Sequence, residues 1–197
     1  LMTGRLITID DIDEFRDVKD FPARTIEPSI VEMVRGLDEA QELEPFIRAI
    51  LADTNLTPHG PAEVVDILTH KVSISRQPQL VAFILKGCSF PVVRPKHVSH
   101  QIYRLEKIAD LSCAVLGATG NILDHAKEEF ISTASRLKCS YLILDANDFA
   151  RLFFAYGFFC TRDGRRISAG GCKCGYSRRN CVLSILRRQP LPERRHP

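Results

Sequence analysis

Short apolar runs alternate along this chain with segments whose apolar residues repeat at helical spacing. Four short, mainly apolar runs are typical of strands buried on both faces: 64–68, which contains Asp66, and 80–85, 113–118 and 141–144. Four other segments place their apolar residues three or four apart, as amphipathic helices do: 30–52, 98–108, 122–134 and 147–156. The order is a helix, an antiparallel hairpin, and then alternating helices and strands. It predicts an α/β fold with a mixed central sheet flanked by helices.

The ends of the chain differ from this regular middle part. Residues 1–28 hold one short strand candidate and then an acidic segment with Pro22 and Pro28, which predicts an N-terminal appendage. Residues 29–160 form the predicted domain. Residues 161–197 are predicted to be a basic, cysteine-containing C-terminal extension. A length of 197 residues suits one domain with such additions.

The composition and the N-terminal sequence bear on where the protein is located. No apolar run approaches the roughly 20 residues that cross a bilayer, and the N-terminus is acidic where a secretory signal would be basic and then apolar. We therefore expect a cytoplasmic protein that has no membrane partner. The seven cysteines are an odd number, and the expectation for them is reduced thiols.

The net charge of +3 hides an uneven distribution of charge. Residues 162–197 contain ten Lys or Arg against two acids, whereas residues 1–161 contain 17 basic and 22 acidic residues. A basic arm on a mildly acidic body is typical of a polyanion contact. A solvated tail without a specific partner explains the same pattern equally well.

An aspartate and a lysine lie in the predicted hairpin. Asp66 is in the first strand, Lys86 ends the second, and the turn-rich segment 75–79 separates the two strands. A carboxylate and an ammonium group on adjacent strands can hold a divalent cation and position a water molecule, as metal-dependent phosphodiester cleavage requires. Taken alone, the pair fits a structural role better, with an aspartate at a strand start and a lysine reaching solvent at a strand end. The surrounding order of elements favours the chemical role.

Further motifs surround this pair in sequence order. Leu-Glu-Pro-Phe-Ile at 43–47 carries Glu44, Phe-Ile-Leu-Lys-Gly at 83–87 carries Lys86, and Ser-His-Gln-Ile at 99–102 starts the next helix. Two strand–helix segments follow, at 114–126 and 141–152. In this order the motifs resemble the restriction-endonuclease-like nucleases of the PD-(D/E)xK superfamily, and most closely the Mrr-type branch. The resemblance covers about residues 40–157.

The resemblance implies a restriction-endonuclease-like fold and metal-dependent cleavage of DNA, in restriction of or defence against foreign DNA. Glu44 and Asp66 would hold Mg²⁺, directly or through water, and Lys86 would position the attacking water and offset charge on the phosphate. DNA is then the partner, and a homodimer is an open alternative to a monomer. The competing hypothesis is a catalytically inactive nuclease-fold module that binds DNA within a larger assembly.

Position 84 departs from the family pattern. The family has Glu, Asp or Gln two residues before the lysine, whereas this chain has Ile84, which shares a strand face with Lys86 and offers no oxygen to a metal. Two explanations compete. Either another residue supplies the acid, with Glu44, Glu63 and Glu106 as candidates, or the site is inactive.

Two weaker signals remain. Cys160, Cys172, Cys174 and Cys181 could close a structural Zn²⁺ site, although their spacing lacks the usual paired Cys-x2-Cys. The segment 117–120 (Gly-Ala-Thr-Gly) resembles the start of a dinucleotide-binding fingerprint, but the third glycine is replaced by Leu123. A short strand-to-helix turn explains that segment without a nucleotide.

Overall fold

The computed structural model describes residues 4–54 and 65–156. Three features predicted from the sequence lie outside the described residues. They are the extension 161–197, Glu63, and the four zinc-candidate cysteines Cys160, Cys172, Cys174 and Cys181. No helix within the described ranges combines the length and the apolar character that crossing a bilayer demands.

The described α-helices number five: α1 (Pro28–Arg35), α2 (Glu44–Ile50), α3 (Pro95–Arg104), α4 (Asp124–Leu137) and α5 (Ala146–Ala155). A π-helix, Glu39–Leu43, runs directly into α2. The predicted helix 30–52 is therefore divided, because Gly36 ends α1 and Pro45 lies in the first turn of α2. Short 3-10 helices occupy Ile9–Asp11, Asp13–Asp20, Ala23–Thr25 and Leu105–Lys107.

The central sheet has four strands in the order β1-β2-β4-β6: β1 (Ile67–Ile74), β2 (Gln77–Lys86), β4 (Cys113–Ala118) and β6 (Ser140–Leu144). The strands β1 and β2 are antiparallel, and the pairs β2–β4 and β4–β6 are parallel. Two very short strands, β3 (Val92–Val93) and β5 (Asn121–Ile122), pair separately. The predicted α/β class, with a mixed sheet flanked by helices, is confirmed.

A two-residue turn joins β1 to β2. Its residues, Ser75 and Arg76, have φ angles of 52° and 63°. Positive φ at both positions is typical of the type I′ hairpin turn, whose twist matches that of the two strands. The hairpin brings the start of β1 to the end of β2.

The sheet separates two apolar cores. Along β2, Val81, Phe83 and Leu85 face the core that is covered by α1, α2 and α5. Ala82 and Ile84 face the core that is covered by α3 and α4. Because alternate side chains enter opposite cores, β2 is apolar along its buried length and ends at a polar residue only at Lys86.

The N-terminal segment is packed against the sheet. Ile12, Phe15 and Val18 are fully buried in the core beside α5. The Ile7 N–H donates to the Tyr141 carbonyl in β6 at 2.9 Å. The apolar residues of this segment recur at three-residue intervals along short 3-10 helices, and they add to the core on one face of the sheet.

Candidate active site

Asp66 and Lys86 meet at the carboxyl ends of the parallel strands. Asp66 directly precedes β1, which is antiparallel to β2, so the start of β1 lies beside the end of β2. The Lys86 Nζ and Asp66 Oδ2 atoms are 3.9 Å apart. Both residues are about nineteen-twentieths buried, at 5% and 6% exposure. In an open α/β sheet this edge is where ligands usually bind.

The carboxylate of Asp66 is held in one orientation by two donors. The Leu85 backbone N–H donates to Oδ2 at 2.6 Å, and the Gln101 amide donates to Oδ1 at 2.8 Å. Gln101 comes from α3, the helix that follows the lysine strand. The structure thus brings together Asp66, Lys86 and the glutamine of the motif at 99–102.

A residue that the sequence did not single out completes this cluster. Lys86 Nζ donates to Glu39 Oε1 at 3.1 Å and to the Leu85 carbonyl at 2.6 Å. Its ammonium also lies 5.7 Å from the centre of the Phe90 ring, at the distance of a cation–π contact. Glu39 therefore shares Lys86 with Asp66.

Glu39 reaches the site because two backbone segments pass unusually close together. A Cβ atom on Gly87 would lie 2.4 Å from the Glu39 nitrogen and 2.8 Å from the Leu37 carbonyl oxygen. Only glycine permits this approach of the chain after β2 to the segment before the π-helix. No local pattern around Glu39 marks it as a site residue, and the Gly87 contact that positions it is distant in sequence.

Burial raises the pKa of Glu39, and the nearby Asp66 raises it further, while Lys86 opposes both effects. One oxygen, Oε2, is buried and accepts no hydrogen bond of ordinary geometry, although the nearby Gly87 N–H lowers the pKa of Glu39. A second buried oxygen without a partner, Thr119 Oγ1, belongs to the residue whose N–H donates to the Lys86 carbonyl at 3.0 Å. Glu39 Oε2 and Thr119 Oγ1 are thus buried polar atoms with unused bonding capacity, which buried polar groups rarely keep.

Glu44 is buried but is engaged by Arg48. The Arg48 Nε atom donates to Glu44 Oε1 at 2.8 Å, and Arg48 Nη2 donates to the Asp66 carbonyl at 3.2 Å. Arg48 also lies 3.7 Å from the Asp53 carboxylate. Glu44 therefore supports the backbone at Asp66 through an arginine, at the i,i+4 spacing that favours such a pair on a helix.

The other acids considered for the missing position lie elsewhere. Glu106 pairs with Arg136 Nη2, and Glu63 is outside the described residues. Ile84 is fully buried among the apolar side chains of Val98 and Ile102. Glu39 is the acid that the described structure puts against Lys86.

The glycines at 117 and 120 have packing roles. A Cβ on Gly117 would lie 2.7 Å from the Phe149 ring, and one on Gly120 would lie 2.2 Å from the Phe90 carbonyl oxygen. Moreover, β5 separates this turn from α4, so the turn does not open directly into a helix. The local structure gives no support to nucleotide binding at this turn.

A divalent cation needs several oxygen ligands, and the cluster offers carboxylates. Within residues 4–54 and 65–156, no group of three or more His, Cys, Asp or Glu side chains is arranged to hold a metal. Mg²⁺, however, is commonly bound through one or two carboxylates, with waters and substrate oxygens as its other ligands. Glu39 and Asp66 are two such carboxylates, and Glu39 Oε2 accepts no hydrogen bond of ordinary geometry. Waters or substrate oxygens would have to supply the other ligands of an ion there.

Two buried cysteines, Cys113 and Cys139, lie within the sheet region away from these contacts. Burial raises the pKa of Cys113 to about 12 and that of Cys139 to about 11, so both remain neutral thiols packed as small apolar groups.

Comparison of the chain with protein-family models, with curated proteins and with solved structures found no match.

Proposed function

We propose that this protein is a metal-dependent DNA endonuclease of restriction-endonuclease-like fold, in which Glu39 replaces the acid missing at Ile84. The observation that carries the proposal is the position of Lys86 Nζ, 3.1 Å from Glu39 Oε1 and 3.9 Å from Asp66 Oδ2. Two carboxylates and one ammonium group at the carboxyl edge of the sheet form the charge arrangement that phosphodiester hydrolysis needs.

Glu39 and Asp66 would hold the Mg²⁺ ion, in place of the pair Glu44 and Asp66 expected from the family resemblance. When bound, the ion would neutralise charge on the phosphate and lower the pKa of a coordinated water. The unused Glu39 Oε2 supports this assignment, because a ligand at that atom would satisfy its bonding capacity.

The remaining residues orient and balance the site. Gln101 and the Leu85 N–H fix the Asp66 carboxylate. Lys86 keeps Glu39 and Asp66 close despite their like charge, and its ammonium can donate to a phosphate oxygen as negative charge develops. Glu39 must lose its proton before it can act as a ligand, so cation affinity should fall as the solution becomes acidic.

A second candidate is a nuclease-fold module that binds DNA without cutting it. Both Asp66 oxygens already accept hydrogen bonds, and position 84 is apolar. These two observations favour an inert site in which the charged residues stabilise the fold.

Cutting of supercoiled plasmid with Mg²⁺ or Mn²⁺ separates the two candidates. The endonuclease hypothesis expects cutting by the full chain, and its loss in Asp66→Ala and Lys86→Ala, with the exposed Glu128→Gln as a matched control. If the wild-type chain shifts DNA in a gel but never cuts it with either metal, the proposal fails and the binding module remains.

A further inference from the structure

The segment that connects the candidate site to α3 carries positive charge and no negative charge. From Gly87 to Leu105 the chain contains no Asp or Glu, whereas Arg94, Lys96 and Arg104 are basic. The contrast is marked, because residues 1–161 as a whole have more acidic than basic residues. An exposed stretch of one sign of charge raises the local concentration of a ligand of opposite charge. An acid of α4 contacts this stretch, since Glu129 accepts a hydrogen bond from Ser99 Oγ at 2.8 Å.

This basic segment adjoins the candidate site. The Phe90 ring lies 5.7 Å from Lys86 Nζ on one side and 5.0 Å, between ring centres, from His97 on the other. His97 is four residues before Gln101, so the two share one side of α3, and Gln101 reaches Asp66. Arg94 directly precedes the helix and its N–H donates to His97 Nδ1 at 3.1 Å.

Several cations elsewhere in the described residues pair with an acidic side chain. Arg35 pairs with Glu32, Lys127 with Asp124, and Arg136 with Glu106. Arg94 and Lys96 are both exposed, and within the described ranges neither has an acidic side chain within 4.0 Å. Their charge is therefore available to an external anion.

We propose that the α3 basic surface, defined as Arg94, Lys96, His97 and His100, holds the phosphate backbone of duplex DNA and directs it towards Glu39, Asp66 and Lys86. This inference rests on the proposed function for the choice of DNA as the polyanion. Each cation that contacts a phosphate releases a counterion, so the affinity depends on salt with a slope of about −0.9 for each contact.

The test measures equilibrium binding of a short DNA duplex by the full chain, in EDTA to prevent cutting, across a series of salt concentrations. Arg94→Gln with Lys96→Gln should reduce the slope of log K against log salt by about 1.8 and weaken binding about tenfold or more near 0.15 M salt. Arg94→Lys with Lys96→Arg should restore both values, because charge and not shape is required.

The matched control is Lys19→Gln with Arg24→Gln. These two residues are exposed on the N-terminal segment, which covers the opposite face of the sheet, and they change the net charge by the same amount. The control should bind DNA with the wild-type slope. Equal losses in the two double variants would overturn the proposal, since only net charge would then matter.

The binding surface and the endonuclease activity can be overturned separately by these measurements. If the chain never cuts with Mg²⁺ or Mn²⁺ but loses affinity only in the α3 variant, the basic surface is supported and the endonuclease is not. If the chain cuts DNA but the α3 variant binds with wild-type affinity and slope, the surface is overturned while the endonuclease stands.

Discussion

Lys86 is a buried, charged side chain. Its two carboxylate neighbours, Glu39 and Asp66, determine how much stability the protein loses when the lysine is removed. Lys86→Met would keep most of the volume but leave Glu39 and Asp66 without their cation. Removing one partner of a buried charge pair typically costs 3–5 kcal/mol, and the partial exposure of Glu39 reduces this to about 3 kcal/mol at neutral pH.

The loss of stability in Lys86→Met should be larger at high pH than at low pH. Lys86 lowers the pKa of Glu39, so its removal raises that pKa further above the unfolded value. A carboxyl group with a raised folded pKa stabilises the protein less as pH rises through that pKa. Urea unfolding of Lys86→Met should therefore show a larger loss of stability at pH 8 than at pH 5, whereas Lys127→Met, at a half-exposed helix position, should change stability little at either pH. An equal loss at both pH values would contradict the contact with Glu39.

Position 84 is where the family resemblance expects an acid, and substitutions of Ile84 test whether Glu39 supplies that acid instead. It is fully buried among apolar side chains in the core beneath α3 and α4. Ile84→Glu would bury a carboxylate there and should destabilise the fold by more than about 3 kcal/mol, while Ile84→Val should cost about 1 kcal/mol. Thermal unfolding and plasmid cutting measure the outcome. A stable Ile84→Glu variant that cuts faster than wild type would show that position 84, and not Glu39, faces the metal.

At the scale of elements, the approach of the Leu37–Glu39 segment to the end of β2 assembles the site. Gly87→Ala would bring a methyl group against the Glu39 nitrogen and the Leu37 carbonyl, and neither backbone atom can move alone. We expect a loss of about 1–3 kcal/mol in the free energy of unfolding and a weaker affinity for Mg²⁺.

Gly36→Ala is the matched control for this substitution. Its added Cβ would lie 3.4 Å from the Met33 carbonyl oxygen, an ordinary contact, and Gly36 has a helical φ of −83°. It should leave cation affinity unchanged. A Gly87→Ala variant that binds Mg²⁺ as tightly as Gly36→Ala would show that Glu39 does not depend on this approach.

Several elements could be predicted because their sequence signals are local. The strand predicted at 113–118, whose residues are apolar apart from Gly117, matches β4 at both ends. Asp66 and Lys86 could be paired because a hairpin brings its two outer ends together. These predictions needed only spacing and turn chemistry.

At the scale of the whole molecule, contacts between distant parts of the chain leave no local pattern in the sequence, so sequence analysis did not find them. Glu39 is 47 residues from Lys86, and the contact depends on Gly87 and on the packing of α1. In the N-terminal segment, Phe15 and Val18 are fully buried against elements that are distant in sequence. Both outcomes depend on tertiary packing, which periodicity along one segment does not report.

The proposed cleavage of DNA requires Glu39, Asp66 and Lys86 to act together at one metal-binding site. The most direct measurement is the rate of plasmid cutting with Mg²⁺ by Glu39→Gln, beside wild type and the exposed control Glu128→Gln. We predict that Glu128→Gln cuts like wild type and that a folded Glu39→Gln cuts about a hundredfold more slowly or not at all. A Glu39→Gln variant that cuts at the wild-type rate would contradict the account.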